Sequence, residues 1–241
     1  MKIFNSCCVL AFVLLLAQSQ VSAQVTSGKI TYERKTNLFK KFKNDNVKEW
    51  LKDEDKNKMD VFELYFNDTI SVFKPQDSDL KEVNSWATNK NTVYENFKTN
   101  KQLSIKNFWG EKMLIEDSVP QRAWKITASK RSIAGYMCRK AIWYMNDTTP
   151  IYAWYTDDIV PSVGPESFCK LPGAILGLAT EDGGVIYFAK SVETTKPDFK
   201  NIIPQKGKSK IYASAELKAK LEKDYGKNSW GKAMIRDLFS W

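Results

Sequence analysis

The sequence predicts a mainly β protein: a single curved antiparallel sheet, a half-barrel, with a C-terminal helix and a short charged surface helix near residues 44–58. Three observations carry that expectation. Most of the apolar residues alternate at period two or fall in short β-rich runs. The residues between runs have turn chemistry, with Asn-Asp, Asp-Gly-Gly and Pro-containing clusters. Several pairs of runs also close as hairpins, which makes their strands antiparallel.

In chain order, "GKITYER" opens the domain as a strand. "NDNVKEWLKDEDKNK" places Val47, Trp50 and Leu51 at helical spacing within dense mixed charge, which reads as the short surface helix. The clearest hairpin runs from Val61 to Phe66, turns at Asn67 and Asp68, and returns over Thr69 to Phe73. Shorter strands follow at "NTVYENF", "QLSIKNFW", "EKMLIED" and "AWKIT". "GYMCRKAIWYM" and "PIYAWYT", joined by "NDTTP", make a second hairpin, and "AILGLAT" and "VIYFAKSVE", joined by "EDGG", a third. "SAELKAKLEKDYGKN" has a Ser214 cap and ends at Gly226, so it is the C-terminal helix. No repeat, low-complexity tract or heptad interrupts this order, and a single domain over residues 24–241 is the simplest account.

The first 23 residues have the form of a secretory signal peptide. Lys2 precedes an apolar run from Cys7 to Ala17, and Val21 and Ala23 suit a peptidase that cleaves after Ala23. The run is too short for a permanent membrane span. Cys7 and Cys8 leave with the leader and precede most of its apolar run, unlike a lipid-attachment cysteine. The chain is then exported to the periplasm, or to the outer membrane or cell surface. Its net charge of +9 falls to +8 with the loss of Lys2. The lysines are spread among acids, which describes a solvated basic surface and argues against a nucleic-acid partner.

The residue types exclude much chemistry. There is no histidine, hence no Ser-His-Asp triad, no Cys-His pair and no histidine metal ligand. No cofactor or metal is expected. Cys138 and Cys169 survive maturation, and an even count in an exported chain predicts a disulfide, worth roughly 3–4 kcal/mol for such a loop. Asp157 and Asp158 are the best carboxylate candidates for catalysis, although adjacent residues on an extended chain point apart. "EDGG" lacks the lysine and helix of a phosphate loop and reads as a turn. Tyr136, Trp143, Trp154 and Tyr155 belong to a dense aromatic stretch that could line a groove for an apolar or glycan ligand, or form core. "DTI" at Asp68, "DSV" at Asp117 and "DTT" at Asp147 match a short O-glycosylation pattern of Bacteroides-like bacteria.

"KRSIAGYMCRKA", "YAWYTDDIVPSVGP" and "FCKLPGAILGL" together resemble the GLPGLI family, exported proteins of Bacteroidota with no assigned activity. The match spans residues 124–193 and rests on Gly135, Tyr136, Cys138, Trp154, Thr156, Gly164, Pro165, Leu171, Pro172 and Gly173. Lys170 stands where the signature has its first glycine, and Ala174-Ile175 replaces its closing Leu-Ile. The resemblance implies export and a β-rich fold, and no catalytic residue. The segment from Gly164 to Gly173 is read as a structural corner and the rim of a ligand cavity, because Pro165 and Pro172 cannot donate to a ladder.

These features describe a non-enzymatic binding or envelope-support protein, holding a hydrophobic or lipid-like ligand or an outer-membrane protein partner. Periplasmic lipoprotein carriers of the LolA type are similar at fold level, with a helix against the concave side of the sheet. The alternative is a carboxylate-dependent hydrolase of envelope glycans or peptides using Asp157 or Asp158. A purely structural partner of an outer-membrane complex would expose an apolar or aromatic patch, and the terminal "RDLFSW" could dock it or cap the core.

Overall fold

The computed structural model describes residues 24–42, 51–77, 83–145, 148–205, 207 and 209–239. Residues 1–23, where a leader is expected, residues 43–50 of the charged segment, Asp147 and Trp241 lie outside these.

The strands are β1 (Gly28–Asn37), β2 (Asn57–Phe66), β3 (Ile70–Pro75), β4 (Thr92–Asn96), β5 (Lys101–Phe108), β6 (Glu111–Ser118), β7 (Lys125–Ile133), β8 (Tyr136–Met145), β9 (Thr149–Thr156), β10 (Ala174–Thr180), β11 (Val185–Glu193) and β12 (Ile211–Tyr212). They form one sheet in the order β12-β6-β5-β4-β3-β2-β1-β11-β10-β9-β8-β7. Every pairing between neighbours is antiparallel except that of the two-residue β12 with β6. Three α-helices are found among the described residues: α1 (Leu38–Lys41), α2 (Ser214–Tyr225) and α3 (Ser229–Leu238).

Chain connectivity forces the sheet to curl. Residues 119–124 join β6 to β7, which lie ten positions apart in the strand order. A flat sheet would put them about 48 Å apart at ~4.8 Å per strand. The seven residue steps from Ser118 to Lys125 reach about 25 Å at most. The two flanks must therefore bend toward each other, and the sheet stays open, a half-barrel as expected.

Alternation sets which side chains point inward. The register Ile30↔Leu64, Leu64↔Phe73, Phe73↔Val93 and Val93↔Ser104 carries one face from β1 to β5. Leu178↔Ala153 and Ala153↔Ala141 carry it across the other flank. Ile30, Tyr32, Phe62, Leu64, Phe66, Phe73, Ile151, Tyr155 and Leu178 make the core on this face together with Ile159, Val163, Phe168 and Leu171 from the segment after β9. Phe62 and Phe73 stack at 4.8 Å. The Tyr32 hydroxyl donates to the Ile175 carbonyl at 2.6 Å, so its polar end is satisfied in an apolar setting.

The hairpin expectations hold. Asn67 closes the β2–β3 turn by accepting from the backbone N–H groups of Thr69 and Ile70, both at 2.8 Å. In "EDGG", Asp182 accepts from Gly184 N–H at 2.8 Å and from the Thr180 hydroxyl at 2.7 Å, as a hairpin turn requires.

Two helix expectations change. Within the described part of the charged segment, Leu51 is buried against Leu38 and Ala87, Asp53–Lys56 form one 3-10 turn, and β2 has begun by Asn57. Mixed charge makes Lys58 resemble helix surface, but the chain buries it beside Asp60 at 2.8 Å. At the other end Ser214 is the first helical residue instead of the cap, and its N–H and hydroxyl both bond the Asp117 carboxylate on β6. Beyond Gly226 a further helix, α3, forms that the sequence reading does not expect. Leu217 and Leu221 of α2 and Ile235 and Leu238 of α3 cover Phe108 and Ile115, inward-facing residues of β5 and β6.

Candidate functional site

A groove of about 980 Å³ lies between the two flanks of the curled sheet. One wall is β5, β6, α2 and α3; the other is Trp143 and Met145 of β8 with Ser167 and Phe168 of the motif segment. Residues from opposite ends of the strand order share this cavity, which identifies it as the inside of the curl. Its volume is at the upper end of the ~300–1,000 Å³ typical of small-molecule sites.

The linker that closes the open side is fastened to the motif. Arg122 donates through Nη1 to the Ser167 carbonyl at 2.7 Å and through Nη2 to the Ser167 hydroxyl at 3.0 Å. Its guanidinium lies 4.2 Å over the Phe168 ring and 5.3 Å from Trp143, a rigid cation–π stack in the groove wall. Trp124 Nε1–H donates to the Cys169 carbonyl at 3.0 Å. Across the groove, Lys106 Nζ donates to the Leu238 carbonyl at 2.7 Å and caps the end of α3.

Of the four aromatics expected to line a ligand site, Trp143 does so. Tyr155 is 1% exposed and belongs to the core. Trp154, one residue earlier, faces the opposite side of the sheet, where Arg131 covers its ring at 5.1 Å. Tyr136 packs half-buried against the core at the start of β8. Density of aromatics could not say which parity of the strand faces inward.

The motif segment is a buried corner, with Val163 to Cys169 buried throughout. A Cβ on Gly164 would come within 2.4 Å of the Phe168 carbonyl oxygen. One on Gly173, at φ +132°, would stand 1.9 Å from that of Thr156. Only glycine allows these approaches. Pro165 and Leu171 are buried, while Pro172 is exposed. Gly135, at φ +84°, closes the β7–β8 turn, and the Thr156 hydroxyl shares a hydrogen bond with Asp158 at 3.2 Å.

The corner also delivers Glu166 into the interior, where it meets Arg34 of β1, Tyr187 of β11 and Asn91 before β4, a network that sequence reading missed. Glu166 accepts from the Tyr187 hydroxyl at 2.6 Å and from Asn91 at 3.0 Å. Arg34 lies between it, at 3.9 Å, and Asp60, at 2.7 Å, and Asp60 also takes Lys58 and the Thr88 hydroxyl. Burial alone would raise the pKa of Asp60, but Arg34 and Lys58 outweigh it and hold the carboxyl below its usual range. Burial and then Glu166 push Tyr187 far up. A second cavity, of about 240 Å³, opens over this network. The alternation of β1 could have flagged Arg34, since it falls on the apolar parity.

Asp157 and Asp158, the expected catalytic candidates, are exposed on the turn after β9 and line neither cavity. The expected Cys138–Cys169 disulfide is absent, and both are free, buried thiols. Their surroundings differ: Cys138 sits against the Tyr136 carbonyl on β8, and Cys169 is near Glu95 and Arg122. Burial pushes the thiols up, to about 11 and about 12 respectively. A third cavity, of about 280 Å³, is lined by Cys169 and Glu95. Burial lifts the Glu95 carboxyl to about 7 against the opposing pull of Arg122 and Lys170.

No protein-family model matches the chain, and no curated protein does. Among solved structures it is similar to PNGF-II, with a TM-score of 0.53, 17% identity, and coverage of 87% of this chain and 32% of that one. A second crystal form of PNGF-II gives a TM-score of 0.50 at 17% identity, covering 78% and 31%. An uncharacterised conserved protein from Thermus thermophilus overlaps at a TM-score of 0.42 and 8% identity, covering 84% and 99%. The chain thus spans about a third of the length of PNGF-II, and at this identity the likeness is one of fold.

Proposed function

We propose that the protein is an exported, non-enzymatic binding protein of the GLPGLI kind that holds a hydrophobic, lipid-like ligand in the groove of its half-barrel. The observation that carries this reading is the groove itself, about 980 Å³ and lined by Ile115, Trp143, Met145, Phe168, Ile235 and Phe239. Export rests on the leader sequence of residues 1–23. The hydrolase alternative loses its support with Asp157 and Asp158 outside the cavities, while Asp60 and Glu166 are taken up by structural partners.

Native mass spectrometry of the protein purified from its own envelope tests the proposal. The expected result is a lipid-sized mass that leaves on denaturation and is lost in W143A. A bare chain that also takes up no added amphiphile would overturn it.

A second reading, docking to an envelope protein, has one observation in its favour. Trp109, in the β5–β6 turn, and Trp230 of α3 stack at 5.1 Å yet remain 55% and 46% exposed. Under this reading, W109S/W230S releases the protein from sedimented envelopes while leaving ligand uptake unchanged.

A further inference from the structure

We infer that the ligand of the groove is an anionic amphiphile, an acyl chain ending in a carboxylate or phosphate. This rests on the binding reading above and specifies its chemistry. The groove lining has six cationic side chains, Lys41, Lys106, Arg122, Lys218, Lys232 and Arg236, against two carboxylates, Glu222 and Asp237. Asp237 is already held by Lys41 at 3.2 Å and by Asn89 at 2.9 Å. Lys218, Lys232 and Arg236 have no ion-pair partner among the described residues.

Of the two charges on α3, Lys232 is placed against the helix, whereas Arg236, in the last turn, suits its dipole. Lys232 and Arg236 are four residues apart on α3, where like charges repel. Lys232 stands near the N-terminal end of α3, whose first turn has no acidic residue, so the helix dipole opposes it as well. A local rule broken twice at the rim of an apolar cavity points to a ligand that compensates it. The arrangement suits an acyl chain against Trp143, Met145 and Phe168 with its negative head toward α2 and α3.

Isothermal titration of the purified protein with dodecanoate, dodecyl phosphate and the neutral 1-dodecanoylglycerol, each below its micelle concentration, tests this. The anionic ligands are expected to bind about tenfold tighter than the neutral one, about 1.4 kcal/mol, with a preference that shrinks at high salt. K218E/K232E/R236E is expected to erase the preference and keep neutral binding, with circular dichroism confirming its fold. Tighter binding of dodecanoate than of dodecyl phosphate would identify a fatty-acid-like ligand, and the reverse a phospholipid-like one. Equal affinity for charged and neutral ligands, or a preference that survives charge reversal, overturns the inference and leaves the groove's binding role standing. No binding of any of the three removes that role itself.

Discussion

Tyr187 donates a 2.6 Å hydrogen bond to Glu166, and Glu166 holds its place with a φ of +54°. That left-handed angle costs a non-glycine residue about 1–3 kcal/mol. The strain is offset because Glu166 ties the motif corner to Arg34 of β1 and Tyr187 of β11, at the middle of the strand order. The corner in turn holds Arg122 and Trp124 of the linker that crosses the open side. Glu166 is thus the anchor through which the two flanks keep their spacing.

Removing that anchor should be costly. E166A leaves the Arg34 charge with Asp60 but without its second carboxylate, and breaking a buried pair typically costs about 3–5 kcal/mol. Since Asp60 remains, a loss of about 3 kcal/mol is expected in urea unfolding. Y187F removes the hydrogen bond donated to Glu166 and the longer one accepted from Arg34 at 3.4 Å, and should lose about 1.5–3 kcal/mol. Additive losses in the double variant would contradict the anchor role, because residues sharing one network should couple.

Lys170 is the other exception in the corner. It occupies the first glycine position of the resembled signature and has φ +68°. A left-handed angle costs an L-residue about 1–2 kcal/mol, and glycine gives back about 0.5–1 through its freer unfolded chain. K170G should therefore stabilise the protein by about 0.5–1 kcal/mol, even though it gives up the exposed hydrogen bond to Asn100. A lower denaturation midpoint would show that the corner prefers the lysine.

Cys138 and Cys169 make a simple test. Buried thiols lifted to about 11 and about 12 are almost wholly protonated at neutral pH and should resist a thiol reagent in the native state. In a chain that begins at Gln24, two thiols should react in denaturant, and the intact mass should not change on reduction. A gain of two mass units with reductant would restore the disulfide expected from the cysteine count.

The strands are legible in the sequence because alternation and turn chemistry act locally: Asn67 closes its turn with its own neighbours. The curl is not, since it follows from six linker residues joining strands that only the β1–β11 pairing places far apart. Trp143 and Trp154 show the same limit at the site. They occupy strands of the same aromatic richness, but only the register separates groove from outer face. Glu166 is hidden because it lies in a loop with no period, and its partners are contributed by β1, β11 and the residue before β4.

Glu95 gives the protein a pH dependence of unusual sign. Its carboxyl, 4% exposed, titrates at about 7 in the folded chain against a reference of 4.5. Below pH 4.5 both states hold the proton and the group contributes no difference. Between 4.5 and 7 the folded state binds the proton and the unfolded state has lost it, so stability falls as pH rises. Above 7 the full cost is present, roughly 3 kcal/mol for a shift of this size. E95Q, neutral at every pH, should therefore gain stability over the parent on going from about pH 5 to about pH 8, by up to roughly 2 to 3 kcal/mol in paired urea titrations. A constant difference between E95Q and parent across that range would mean that Arg122 and Lys170 hold the carboxylate ionised, with its pKa near the ordinary value.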